Sequence, residues 1–96
     1  MTGKQRRYLR GLGHHLEPVV QVGKEGITEG LVQATDAALL QHELIKIRIG
    51  DAAGDDRHSI GDALADAAGA ELVQVLGRTL LLYRRREEEP AIVLPS

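Results

Sequence analysis

Cysteine is absent, so the chain has no disulfide, no thiol nucleophile and no cysteine-based metal site. Phenylalanine and tryptophan are absent too. Tyr8 and Tyr83 are the whole aromatic complement, too little surface for stacking bases or sugars. No apolar run exceeds four residues, which excludes a membrane-spanning helix. The first residues, Met1-Thr2-Gly3-Lys4-Gln5-Arg6-Arg7, lack the apolar stretch of a secretory signal, and a cytoplasmic protein is expected. What is present is ordinary: 96 residues, 43% hydrophobic and 27% charged, the profile of one soluble domain. Such a chain hides roughly 65% of its unfolded surface, enough for one modest core.

The net charge of −2 conceals segregation. Residues 1–28 carry Lys4, Arg6, Arg7, Arg10 and Lys24 against Glu17 and Glu25. Residues 50–76 carry Arg57 against Asp51, Asp55, Asp56, Asp62, Asp66 and Glu71. Residues 77–86 swing back with Arg78, Arg84, Arg85 and Arg86, before Glu87-Glu88-Glu89 ends the basic run. Opposed blocks of this kind either steer a polyanion or merely keep a surface soluble, depending on whether the positive blocks meet in space.

Thr2 followed by Gln5 matches a capping box, and Tyr8, Leu9, Leu12 and Leu16 recur at helical spacing, with Arg6, Arg7 and Arg10 expected on the opposite face. Pro18-Val19-Val20-Gln21-Val22 reads as a short strand. Thr28 can cap a second helix with Leu31, Val32, Thr35, Ala38 and Leu39 inward, ending near His42. Residues 44–49 alternate: Ile45, Ile47 and Ile49 point one way, Lys46 and Arg48 the other. Gly50 to Asp56 reads as a polar loop. Ser59 is expected to cap a third helix, with Asp62 in the capping-box position, Ile60, Ala63, Leu64 and Ala67 inward and Gly69 as its stop. Residues 72–76 and 79–83 are strands joined at Gly77-Arg78, a pair suited to a type II′ turn, and the apolar run Leu80–Tyr83 suits an interior strand. Residues 87–96 form a tail in which Ala91–Leu94 could add an edge strand. The order α-β-α-β-α-β-β predicts one α/β domain over residues 1–86, with a mixed four-stranded sheet packed against helices.

Nothing in this chain reads as an active site, and no enzyme, cofactor or metal is expected. His14, His15, His42 and His58 lack zinc spacing, and the first three fall at predicted helix ends, where the dipole favours them. A calcium loop needs alternate acids ending in a glutamate, which Asp51, Asp55 and Asp56 do not supply. Gly23-Lys24-Glu25-Gly26 is more informative. It joins a strand to a helix, so its backbone N–H groups lie at a helix N-terminus, where an anion is stabilised. Its glycines let a phosphate backbone approach, and Lys24 adds positive charge. A tight turn would explain the glycines equally well, and the lysine and hydroxyl of a Walker loop are missing. Together with Lys4, Arg6, Arg7, Arg10, Lys46, Arg48 and Arg78, the loop would form a track for a sugar–phosphate backbone. Without aromatics, structured RNA suits it better than an unstructured strand.

Gly11-Leu12, the run from Pro18 to Gly30, His42-Glu43-Leu44-Ile45-Lys46-Ile47 and the run from Val73 to Arg84 resemble the YhbY-type CRM domain, named for chloroplast RNA splicing and ribosome maturation. The resemblance covers residues 2–84, and the closing Ile92-Val93-Leu94-Pro95 is similar as well. It implies a stand-alone bacterial RNA-binding protein associated with precursors of the large (50S) ribosomal subunit, and a fold similar to the C-terminal domain of translation initiation factor three. It also implies a Gly-x-x-Gly loop, likened to that of KH domains, at Gly23, Lys24, Glu25 and Gly26. The accompanying basic residues map onto the first helix and onto Lys46, Arg78 and Arg84. Glu25 and the acidic overall balance depart from the usual RNA binder and imply modest intrinsic affinity. A monomer contacting ribosomal RNA is expected; the alternative is a protein–protein module that recruits assembly factors through the last strand or the tail.

Overall fold

The computed structural model of the chain describes residues 1–51, 53 and 56–96. Among them the elements run α1 (Gly3–Gly13), β1 (Pro18–Val22), α2 (Glu29–His42), β2 (Leu44–Ile49), α3 (Arg57–Ala68), β3 (Glu71–Leu76) and β4 (Thr79–Tyr83). Strands lie in the order β1-β2-β4-β3; β1 pairs parallel with β2, and β4 pairs antiparallel with both β2 and β3. The mixed four-stranded sheet with helices against it is thus the expected architecture. Of the stretch from Gly50 to Asp56 read as a loop, residues 52, 54 and 55 lie outside the described residues.

The middle position of β4 explains its composition. Every residue from Leu80 to Tyr83 is buried, because helices or tail cover both of its faces. Leu80 and Leu82 join Val22, Leu39, Ile45, Ile47, Ile49, Ile60 and Leu64 in a core roofed by α2 and α3. Leu81 and Tyr83 join Leu9, Leu44 and Val73 in a smaller core on the other face, under α1. Gly77 has φ +56° and Arg78 does not share that left-handed region, which is the type II′ pattern.

Several expectations need correction. The capping box of α1 forms, with Gln5 N donating to Thr2 Oγ1 at 3.0 Å and Thr2 N to Gln5 Oε1 at 3.0 Å. Its buried stripe, however, is Leu9 and Gly13 with Arg6 partly buried alongside, while Tyr8 and Leu12 stay exposed. Close approach decides this: a Cβ on Gly13 would lie 2.7 Å from the Leu81 methyls, so the helix presses its glycine against the sheet. Arg6 is therefore not on the outer face. Its guanidinium donates to Leu72 O at 2.6 Å and Val73 O at 3.2 Å, where an irregularity between Leu72 and Gln74 interrupts the β3–β4 register. In α3 the cap is Asp56, which accepts from Ser59 N at 3.3 Å; Ser59 is already inside the helix. Its inner face is Ile60, Gly61, Leu64, Ala65 and Ala68, with Ala63 and Ala67 exposed. Gly61 permits that rotation, since its missing Cβ leaves room for Leu72 and Leu80 at about 3 Å. Residues 91–94 form no edge strand. The tail turns back across α1, with Ile92 and Leu94 packed on the smaller core and Pro95 O accepting from Gln5 Nε2 at 3.1 Å.

Candidate nucleic-acid interface

β1 ends at Val22, which is buried, and the chain leaves the sheet at once. Gly26 N donates to Gly23 O at 3.0 Å, closing a tight turn, and Gly26 takes φ +69°, a conformation that side chains resist. Gly23, Lys24 and Glu25 are exposed, and nothing lies within 4 Å of the position a Cβ on Gly23 would occupy. Thr28, in an extended conformation, accepts from Leu31 N at 3.1 Å and so starts α2 two residues past the turn. The bare backbone and the positive end of α2 therefore face a shared hollow of about 290 Å³ bounded by residues 23–26, Thr28 and Leu31. Inside it Lys24 supplies a cation and Glu25 an opposing charge.

The parallel register sets what else can stand near this turn. Val22 pairs with Ile49 and Gln21 with Arg48, so the turn projects from the sheet end where β2 finishes. Lys46 and Arg48 point to the α1 side of the sheet; Lys46 is half-buried and Arg48 exposed. Because α1 crosses only part of that face, Arg10, His14, His15 and Lys46 line one hollow where the helix ends. Arg10, Lys24, Lys46 and Arg48 form no ion pair among the described residues.

The remaining cations of the expected track are placed differently. Arg78 does sit at the turn's end of the sheet, yet its guanidinium donates to Ile49 O at 3.1 Å and Gly50 O at 2.6 Å and pairs with Asp51 at 3.2 Å. Arg84 follows Tyr83, which pairs with Leu44 at the start of β2, so it lies at the opposite end, roughly 17 Å of strand away. There it pairs with Asp36 at 2.7 Å and donates to Ala68 O at 2.7 Å, fastening α2 to the end of α3. Arg6 is spent on β3, as described. Lys4 and Arg7 are exposed on the first half of α1, away from the turn.

A family profile, that of the CRS1 / YhbY (CRM) domain, matches residues 1–84. The chain belongs to this family. "Probable RNA-binding protein YqeI" of Bacillus subtilis is 38% identical over 95 residues, covering 99% of each chain. An "RNA-binding protein" of Haemophilus influenzae is 41% identical over 88 residues, 92% of this chain and 89% of that one. Among solved structures, the solution structure of SAV1595 from Staphylococcus aureus superposes with TM-score 0.85 at 41% identity over 99% of both chains.

In this CRM domain one functional-looking charge escaped the sequence reading. Glu43 ends α2 in a strained conformation, φ +64°, and is fully buried. Its carboxylate accepts from Arg86 N at 2.9 Å, Ala91 N at 2.7 Å and Ile92 N at 2.9 Å. Burial alone would raise its pKa. The three N–H donors and the Arg86 charge outweigh that and hold it below the ordinary glutamate value. Burial first, and then the Glu43 charge, push the Tyr83 hydroxyl above its ordinary pKa, with Arg85 opposing. Arg86 also donates to Leu40 O and Gln41 O, covering the last carbonyls of α2. The signal was present in the sequence as a lone glutamate between a helix and an apolar strand, but its partners lie more than 40 residues away. This centre anchors the tail, and two of the arginines in the basic block at 84–86 serve the scaffold.

Proposed function

We propose that the protein is a non-enzymatic RNA-binding protein that grips ribosomal RNA of large-subunit precursors and acts in their maturation. The observation that carries this reading is a set of cations with no ion pair among the described residues, Arg10, Lys46 and Arg48 on the α1 side of the sheet, together with an exposed turn of bare backbone at Gly23–Gly26, carrying Lys24, at the sheet end where β2 finishes. The family and the names of its relatives support RNA as the partner. Amides of the turn and of the first turn of α2 hold one phosphate, Lys24 neutralises it, and the sheet-face cations extend the footprint. Glu25 keeps the affinity modest, which suits a factor that must leave the particle. Arg78 stiffens the neighbouring loop rather than touching RNA, and Arg6 and Arg84 belong to the scaffold.

The test is the combined variant Lys24→Glu, Arg10→Glu, Lys46→Glu, checked for folding by circular dichroism. We expect it to lose co-sedimentation with large-subunit precursors, and the wild-type protein to show log K falling with log salt at about 0.7–0.9 per phosphate contacted. Unchanged co-sedimentation overturns the site. A nearly flat salt dependence of the wild-type protein favours the rival, an apolar protein–protein module docking at the groove between Leu12, Leu16, Val19 and Ile92.

A further inference from the structure

Where α1 ends over the open part of the sheet it leaves a hollow of about 430 Å³, within the range of ligand sites. It is lined by Arg10 and Gly11 of α1, by Lys46 of β2, and by Gln74, Leu76, Thr79 and the buried Leu81 of the β3–β4 hairpin. Among the described residues no carboxylate lines it. We infer that this hollow receives an unpaired nucleotide extruded from the bound RNA. The inference rests on the RNA reading above and adds a subsite to it.

Four observations converge. First, Gly11 is unexplained by packing: nothing lies within 4 Å of where its Cβ would be, whereas Gly13 is held against Leu81. A glycine in a helix is destabilising relative to alanine, and this one lies on the hollow's wall, where its absent side chain lets a ligand rest against the helix backbone. Second, Arg10 and Lys46 both line the hollow and form no ion pair among the described residues, which leaves two positive charges for a phosphate. Third, the Gln74 amide makes no hydrogen bond among the described residues, so a donor and an acceptor are available for a base edge. Thr79 Oγ1 donates to Leu76 O at 2.7 Å and keeps its acceptor capacity. Fourth, the imidazoles of His14 and His15, edge-to-face at 5.5 Å between ring centres, line the hollow. They offer a face to a base in a chain with no Phe or Trp. A base within a duplex cannot enter such a hollow, whereas a bulged one can.

The test compares two RNA hairpins, identical except for one unpaired adenosine in the stem, titrated against the full chain at fixed salt. The wild-type protein should bind the bulged hairpin about tenfold more tightly. Gly11→Leu fills the hollow with a better helix former and leaves every cation in place; it should erase that preference while the paired hairpin still binds with the same salt slope. Gln74→Ala, which leaves the helix untouched, should reduce the same preference. Equal wild-type affinity for the two hairpins, or a preference that survives both substitutions, overturns the inference while leaving the RNA reading standing. Failure to bind either hairpin at any salt sinks both.

Discussion

A carboxylate out of solvent's reach is stable only where donors replace its hydration, and Glu43 has three of them from the backbone of residues 86–92. Replacing it with glutamine keeps the volume but turns an NH₂ toward backbone donors. Glu43→Gln should cost about 2–3 kcal/mol in urea unfolding. The sign of the pH effect follows from the lowered pKa. The native state binds this proton less readily than the unfolded chain, so the stabilisation is fully present above the ordinary glutamate range. It is lost as pH falls through the lower native value. Urea midpoints taken from neutral to acid pH should fall more steeply for the wild-type protein than for Glu43→Gln; parallel curves would show that the carboxylate carries no such linkage. Reading Glu43 from the sequence failed because its donors belong to a tail with no periodicity of its own. By contrast the caps at Thr2 and Thr28 were legible, since cap and partner lie three residues apart.

Among elements, α1 departs most from its sequence pattern. Helical spacing singled out Tyr8, Leu9, Leu12 and Leu16, but spacing alone cannot say which arc of a helix meets a sheet or how closely. The contact falls on Arg6, Leu9 and Gly13 because a glycine allows the nearest approach and the β3 irregularity offers carbonyls to an arginine. Two glycines in one turn therefore carry opposite predictions. Gly11→Ala should stabilise the protein by about 0.5–1 kcal/mol through helix propensity. Gly13→Ala should destabilise it by about 1–3 kcal/mol, because Leu81 must move within a packed core. Thermal denaturation of the pair checks this, and equal shifts of the same sign would contradict the packing. The strands were legible for the converse reason: the alternation in β2 and the two-sided apolar run of β4 each match one burial state.

For the whole molecule, the thickness of the domain separates its charges. The acidic α3 covers one face of the sheet while Arg10, Lys46 and Arg48 stand on the other, in a body of 38 × 25 × 21 Å. At physiological salt the screening length is about 8 Å, so net charge is a poor guide to what a ligand meets on one face. The double substitution Asp62→Lys, Asp66→Lys would move the net charge from −2 to +2. It should leave the salt slope of RNA binding unchanged, because neither site, exposed on α3, neutralises a phosphate. A slope steepened by the two added lysines would mean that RNA wraps both faces.

The seven elements, the caps at Thr2 and Thr28, the strand directions and the turn at Gly23–Gly26 were determined by the sequence alone, because each depends on residues within a few positions of one another. The fates of the arginines were decided only by the tertiary structure. A guanidinium reaches several ångströms and takes whichever carbonyl or carboxylate the fold brings near, so Arg6, Arg78, Arg84 and Arg86 went to the scaffold. Arg10 and Arg48, identical in chemistry, form no ion pair among the described residues and stand on the face of the sheet that α1 leaves open.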